Sequence, residues 1–137
     1  MKQRAFHYTL QVTLQMIGVV AVLATALAVH ATPDRAVAAQ IEQLLDRVRQ
    51  SPCQFERNGD AHSGVGAAKH MATKYQHFRD DITTAEDFIR LAASKSELTG
   101  KPYWVLCLGQ PPVLSADWFA DVLTQLRASV FLVTTAS

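Results

Sequence analysis

The chain has 137 residues, with 13 lysines and arginines against 12 aspartates and glutamates, and 49% of its residues are hydrophobic. A chain of this length is sufficient for one domain with one modest core. Its near-zero net charge excludes bulk electrostatic attraction to nucleic acid or to anionic lipid, and leaves room only for a local charged site.

The first 31 residues have the layout of a secretory signal peptide. Lys2 and Arg4 give a basic start, an apolar run extends from Met16 to Val29, and the small residue Ala31 follows where a signal peptidase would cut. The alternative is an uncleaved membrane anchor, but this run is shorter than the about 20 apolar residues that a spanning helix needs. We therefore predict cleavage near Ala31, a domain of residues 32–137 with no stable membrane span after cleavage, and a periplasmic or secreted location.

The predicted domain contains two cysteines, Cys53 and Cys107. In an exported protein such a pair favours a disulfide. A zinc site would need about four ligands at suitable spacing, and neither cysteine belongs to a recognisable redox motif, although a reactive thiol remains an alternative. Each cysteine falls in a predicted strand, and antiparallel pairing of the two strands brings them opposite each other, whereas parallel pairing separates them too far for a bond. We predict a Cys53–Cys107 disulfide, no metal and no cofactor.

In chain order the sequence predicts helix, strand, helix, helix, strand and helix. The first helix opens at Thr32-Pro33-Asp34 and carries an apolar stripe from Val37 to Val48. Ser51-Pro52 ends it, because the residue before proline disfavours helical geometry. The first strand is Cys53 to Arg57, and Asn58-Gly59 after it is a turn signal.

The elements after the Asn58-Gly59 turn are also predicted from capping residues and apolar patterns. Ser63 begins a helix that runs to about Phe78, Thr84 opens the next with capping-box spacing, and Ser115 caps the last. The second strand, Tyr103 to Leu108, is continuously apolar, which predicts burial on both faces. The predicted core face of the second helix consists of Val65, Ala68, Met71, Ala72, Tyr75 and Phe78. The apolar tail Val130 to Val133 has no partner that the sequence identifies.

Because two strands alone make a marginal sheet, the helices must cover them. The predicted fold class is α+β, a mostly helical single domain with four helices around a two-stranded antiparallel ribbon.

Three motifs carry a family resemblance. They are Phe55-Glu56-Arg57-Asn58-Gly59, the run Ala67 to Tyr75, and the long run from Ile82 to Tyr103, which includes Ile82-Thr83-Thr84-Ala85-Glu86-Asp87-Phe88-Ile89. Together they resemble the DUF5329 family of bacterial envelope proteins, over roughly residues 38–128. The resemblance implies export and a shared fold. It implies no activity, cofactor or catalytic residue.

Two candidate sites involve the second helix. His70 and Lys74 are four residues apart and share one helix face, where an imidazole serves as acid or base and an ammonium holds an anion. The alternative, which the pattern favours, is a solvated or hydrogen-bonded helix face. A small hydrolase using His70 and Ser94 would need these side chains within hydrogen-bond reach beside an open pocket. No Gly-x-Ser-x-Gly elbow is present, and a serine just past a helix end more often bonds loose backbone groups.

The disulfide register predicts a third site at the opposite end of the ribbon. If Cys53 opposes Cys107, Arg57 opposes Tyr103, and the loops that follow and precede these strands converge. The predicted ligand-binding residues are Arg57, Asn58, Ser94, Ser96, Thr99, Lys101 and Tyr103. Cationic groups with hydroxyls suit a carboxylate or phosphate. The alternative is that Arg57 braces loop carbonyls while the hydroxyls cap helix ends.

We therefore predict an exported small binding or interaction module without turnover. Its expected partner is an unknown envelope protein or a small anionic ligand, and not nucleic acid. The alternative function is the small hydrolase that uses His70 and Ser94.

Overall fold

In the computed structural model, the backbone is described for residues 33–135 and side-chain environments are described for residues 35–130. The predicted signal peptide, residues 1–31, lies outside the described residues. Among those that are described, no helix combines the length and the apolar character needed to cross a membrane.

Four helices and four strands make up the described part of the chain. The helices are α1 (Pro33–Gln50), α2 (Gly64–His77), α3 (Ala85–Phe88), which continues into a π-helical turn (Ile89–Ala93), and α4 (Ser115–Thr135). The strands are β1 (Gln54–Arg57), β2 (Asp60–His62), β3 (Trp104–Leu106) and β4 (Val113–Leu114). The α+β class with four helices is as predicted.

The strands form one antiparallel sheet in the order β2-β1-β3-β4. The predicted ribbon is its central pair, and the register places Phe55 opposite Val105, as predicted. The prediction of only two strands was incomplete, because β2 and β4 are edge strands of three and two residues. Asp60-Ala61-His62 lacks β-branched and aromatic residues, and β4 directly follows two prolines, so neither segment has a strand pattern of its own.

The predicted disulfide is present. Cys53 and Cys107 are bonded, with their Cα atoms 4.4 Å apart, one residue beyond the pair formed by Gln54 and Leu106. The bond therefore closes the end of the β1–β3 pair that lies away from Arg57.

The core lies between the helices and one face of the sheet. From α1 it takes Ile41, Leu44, Leu45 and Val48 of the predicted stripe, each with at most 1% of its surface exposed, whereas Val37 is half-buried. Phe88 and Phe119 are fully buried and meet edge to face, with ring centroids 6.2 Å apart. Burial of these apolar side chains supplies the main favourable contribution to folding.

Helix α2 begins where the sequence predicts, since the Ser63 side chain accepts a hydrogen bond from the backbone N–H of Gly66. One predicted core residue was wrong: Val65 is 66% exposed, whereas Ala67 is buried. Ala67 lies nearer than Val65 to the centre of the helix stripe that also contains Ala68 and Met71, which explains the exchange.

The junction between the π-helical turn and α4 corrects another prediction. Ser115 stands at the start of α4, but its hydroxyl donates to the carbonyl of Ala93 at 2.8 Å rather than capping its own helix. That carbonyl ends the π-helical turn next to the core, where it needs a donor. The Ser115 N–H donates to the carbonyl of Tyr103 at 2.9 Å, which ties the start of α4 to the start of β3.

The apolar segments near the carboxyl end of the chain can also be compared with the prediction. In β3 only Val105 is fully buried, while Trp104 and Leu106 are half-buried, because one face of this four-stranded sheet is only partly covered. The tail from Val130 to Val133 continues α4, and its side chains beyond Val130 lie outside the described residues.

Candidate functional site

The β1–β2 turn fixes the position of Arg57. Asn58 and Gly59 both have positive φ, 56° and 94°, so Arg57 and Asp60 pair directly across a two-residue turn. Asn-Gly is the preferred sequence for such a turn, since both residues tolerate this geometry and its twist matches the strands. The turn sequence therefore places the half-buried Arg57 side chain at the end of β1.

The loop before β3 folds back on this turn. The Thr99 hydroxyl donates to the Asn58 side-chain carbonyl at 2.7 Å, and the Asn58 amide lies 3.5 Å from the buried Ser96 hydroxyl. Within the loop, the N–H of Ser96 donates to the carbonyl of Lys101, and the N–H of Gly100 donates to that of Ser96, both at 2.9 Å. The predicted convergence of the two loops is thus present in the structure.

His70 connects the hairpin to β3. Nη1 of Arg57 lies 2.6 Å from Nδ1 of His70, and Nε2 of His70 lies 3.3 Å from the hydroxyl of Tyr103. A guanidinium only donates, so Nδ1 accepts and Nε2 carries the proton that it donates to Tyr103. The Tyr103 hydroxyl then accepts from His70 and keeps its own proton free to donate.

Burial and neighbouring charges keep the His70 and Tyr103 side chains uncharged. Burial lowers the pKa of His70 from 6.5, and the nearby charges of Arg57, Lys74 and His62 lower it further. Burial also raises the pKa of Tyr103 above 10.0. At neutral pH the imidazole is therefore uncharged and the phenol keeps its proton.

Lys74 is one turn further along α2 and is only 8% exposed. Its ammonium donates to the carbonyl of Lys95 at 2.9 Å and lies 5.5 Å from the centre of the Tyr103 ring, within cation–π range. Desolvation lowers its pKa from 10.5, while the neighbouring Glu97 carboxylate raises it. One N–H of the ammonium is used by Lys95, so two remain available.

Neither Arg57 nor Lys74 forms an ion pair within the described part of the chain. Each instead uses a neutral acceptor, His70 for Arg57 and a backbone carbonyl for Lys74. Partly buried cations without a paired carboxylate keep N–H groups from which a bound anion could accept hydrogen bonds.

Two cavities open around these side chains. The outer cavity has a volume of about 370 Å³ and is lined by Arg57, Asn58, Asp60, His70, Lys74, Ser96, Glu97, Leu98 and Tyr103. The inner cavity is smaller, about 50 Å³, mostly apolar, and lined by Phe55, Glu56, Arg57, His62, Gly66, Ala67, His70, Met71 and Tyr103. The two cavities share Arg57, His70 and Tyr103.

The predicted ligand-binding residues divide into two groups. Arg57, Asn58, Ser96 and Tyr103 line the outer cavity, whereas Ser94, Thr99 and Lys101 are not among its lining residues. Thr99 contributes indirectly through its hydrogen bond to Asn58. Ser94 turns toward the π-helical turn, where its hydroxyl donates to the carbonyl of Ile89. Lys101 is exposed, and its carbonyl closes the loop by accepting from Ser96.

The predicted set did not include several residues of the cavities. Two of them, His70 and Lys74, were identified by their shared helix face but not placed with Arg57, because only the folded structure brings α2 against the hairpin. His62, Asp60 and Glu97 carried no motif. Among described side chains, His62 Nε2 is the buried polar atom without a hydrogen-bond partner, and its residue lines the inner cavity.

The hydrolase hypothesis depends on contact between Ser94 and His70. In the described residues, the Ser94 hydroxyl bonds to the Ile89 carbonyl, and both ring nitrogens of His70 have other partners. The geometry therefore offers no nucleophile and base in contact at these positions. Within the same residues, no group of three His, Cys, Asp or Glu side chains is arranged to hold a metal ion.

Comparison with known proteins adds the family. The sequence pattern of DUF5329, described as a family of unknown function, matches residues 35–127. A segment of 66 residues is 44% identical to a protein of Salmonella typhimurium named uncharacterized protein YfeK. This segment covers 47% of the present chain and 55% of that protein, so the match spans about half the length of the relative. No solved structure matches the chain. Since the matched pattern extends over most of the chain, from α1 to α4, this protein belongs to the DUF5329 family, whose function is unknown.

Proposed function

We propose that this protein is a non-catalytic binding module whose outer cavity holds a small anion, a carboxylate or a phosphate. The observation that carries the proposal is the absence of a paired carboxylate at Arg57 and Lys74 among the described residues, although both line one cavity of about 370 Å³. A bound anion would accept from the free guanidinium N–H groups, from the ammonium and from the Tyr103 hydroxyl.

Two acidic residues of the same cavity limit the strength of this site. Asp60 and Glu97 are exposed on its lining, and the Glu97 charge acts on Lys74. Exposed carboxylates are well hydrated and screened, so they weaken anion binding without occupying the donors. The site is therefore expected to select a small anion that reaches past the acidic rim.

We further propose that the module works in the periplasm or outside the cell after loss of residues 1–31. The Cys53–Cys107 bond supports this proposal, because disulfides persist in oxidising compartments. The intact mass of the protein recovered from the envelope tests it: a chain starting at Thr32 is expected, and full-length chain in membranes would contradict cleavage.

Titration with inorganic phosphate and with formate, followed by NMR of the purified oxidised protein, tests the anion site. Lys74→Met is expected to weaken binding at least tenfold, since a hydrogen bond to a charged group contributes about 1.5–3 kcal/mol. Lys69→Met is the matched control, because Lys69 is exposed on the same helix and lines neither cavity. Glu97→Gln should tighten binding by removing the opposing charge.

Arg57→Gln separates a binding role from a structural one. As a ligand residue, Arg57 can be replaced with a small change in melting temperature and loss of anion binding. A fall of several degrees in melting temperature, with anion binding preserved in the folded protein, would show that Arg57 only braces His70. Absence of any anion-dependent shift in the unmodified protein would reject the anion site itself.

A further inference from the structure

We infer that the ligand of this site is an organic carboxylate with a short apolar group, whose head lies in the outer cavity and whose apolar group fills the inner cavity. This inference rests on the proposed anion site. It follows from the way the two cavities share Arg57, His70 and Tyr103 as common walls.

The inner cavity sets the size and polarity of the apolar group. Its volume of about 50 Å³ and its lining by Phe55, Ala67 and Met71 suit a few carbon atoms. Filling it with carbon gains transfer free energy and dispersion contacts that a hydrated inorganic anion cannot supply.

The shared wall sets the position of the head group. Arg57 and Tyr103 line both cavities, and Arg57 has N–H groups beyond the one that His70 accepts from, while Tyr103 keeps its hydroxyl proton. A carboxylate bound there has its oxygens on the outer side and its first carbon atoms directed inward. Because the inner cavity has a volume of only about 50 Å³, it favours a short apolar group next to the carboxyl carbon over a long lipid tail.

A second feature of the inner cavity suggests a further polar contact. His62 Nε2 is buried without a partner among the described residues, and His62 lines this cavity. A hydroxyl or amino group on the ligand near its apolar group would satisfy this nitrogen. A carboxylate that carries such a substituent is therefore expected to bind more tightly than its plain counterpart.

A ligand series measures the contribution of each part. The purified oxidised protein is titrated with formate, acetate, propionate, isobutyrate, isovalerate and octanoate, and with inorganic phosphate, by NMR or calorimetry. Affinity is expected to rise about fourfold for each added carbon up to isovalerate, because burial of one methylene contributes that factor. Octanoate should gain nothing more. Isovaleramide, which has the same apolar group without the charge, should bind at least tenfold more weakly than isovalerate.

Gly66→Leu supplies the matched variant. A Cβ at Gly66 would stand in ordinary contact with Ser63 and His62, 3.6 and 3.8 Å away, so the first atom of a side chain fits without moving the backbone at a residue that lines the inner cavity. The variant should lose the rise along the carboxylate series while its affinity for formate and phosphate is unchanged. This pattern separates occupation of the inner cavity from general damage to the fold.

The failures of the two proposals are distinguishable. If phosphate and formate bind as tightly as isovalerate, or Gly66→Leu leaves the series unchanged, the inner cavity is not used and this inference is overturned, while the anion site stands. If isovaleramide binds as tightly as isovalerate, the site recognises only an apolar group and both proposals are overturned. Loss of every anion-dependent signal likewise overturns both.

Discussion

Arg57 and His70 are thirteen residues apart in sequence and 2.6 Å apart in space, with the guanidinium donating to Nδ1 of the imidazole. This contact assigns the histidine tautomer, since only a neutral ring accepts at Nδ1. It also makes protonation of His70 costly, because the new proton would point at a permanent cation.

The titration of His70 follows from this contact. Its pKa is lowered by burial first and by the charges of Arg57, Lys74 and His62 next, so the NMR midpoint of its ring is expected below 6.5. In Arg57→Gln the midpoint should move up toward 6.5. A midpoint that stays in place when Arg57 is removed would contradict the charge contribution.

The same shift predicts how stability depends on pH. Because the folded-state pKa of His70 lies below its unfolded value of 6.5, the unfolded chain binds more protons between these two values. The contribution of neutral His70 is complete above pH 6.5 and is lost as pH falls through the folded-state pKa. Denaturant unfolding at pH 7.5 and 5.5 should show the loss in the unmodified protein and a smaller loss in His70→Gln.

Two glycines of α2 are expected to respond in opposite directions to alanine. A Cβ at Gly64 would collide with the carbonyl oxygen of Val48, so Gly64→Ala must push α1 and α2 apart and should cost about 1–3 kcal/mol. A Cβ at Gly66 would make only ordinary van der Waals contacts, and Gly66→Ala should stabilise by up to about 1 kcal/mol through helix propensity. Melting temperatures of the two variants check the pair, and equal effects would contradict the close approach.

Ser115→Ala tests the hydrogen bond that the Ser115 hydroxyl donates to Ala93. Its buried hydroxyl donates to Ala93, so Ser115→Ala leaves a buried carbonyl without that donor and should cost about 1–3 kcal/mol. Ser129→Ala, at an exposed position of the same helix, is the control and should change stability by less than about 0.5 kcal/mol. Chemical denaturation measures both, and a near-neutral Ser115→Ala would show that the Ala93 carbonyl finds another donor.

The capping box of α3 predicts a smaller effect. Thr84 accepts from the N–H of Asp87 at 3.0 Å, while the Asp87 carboxylate accepts from the N–H of Thr84 at 3.1 Å. Thr84→Ala should cost about 1 kcal/mol in the free energy of unfolding. Thr124→Ala, which removes only an exposed bond within α4, is expected to cost less, and a larger loss there would contradict the importance of the cap.

Much of the fold could be predicted because its signals are local. Helix caps at Ser63 and Thr84, the stripe of α1 and the Asn58-Gly59 turn each depend on residues close in sequence. The disulfide and the β1–β3 register were also predictable, since a bond between strands constrains their pairing. The edge strands were not, because two or three residues beside a turn or prolines carry no period.

Only the part of the candidate site that depends on strand register could be predicted from the sequence. Strand register alone brings Arg57 near Tyr103, and that much was available from the sequence. The insertion of His70 between them depends on how α2 packs against the hairpin, and no local pattern reports a contact between elements. Ser94 was misplaced because the π-helical turn before it redirects its hydroxyl to Ile89.

The disulfide has a consequence for the covalent shape of the molecule. Cys53 and Cys107 are 54 positions apart, and the bond turns the segment between them into a closed ring that contains every lining residue of both cavities. Helices α1 and α4 lie outside this ring, as the two chain segments attached to it. Their contacts with each other include the hydrogen bond from Arg127 to Gln40. A protease that cuts one loop of the ring would leave a nicked but undivided chain, with both segments still attached. Loss of the site through such a cut would therefore appear only on a reducing gel, where the fragments separate.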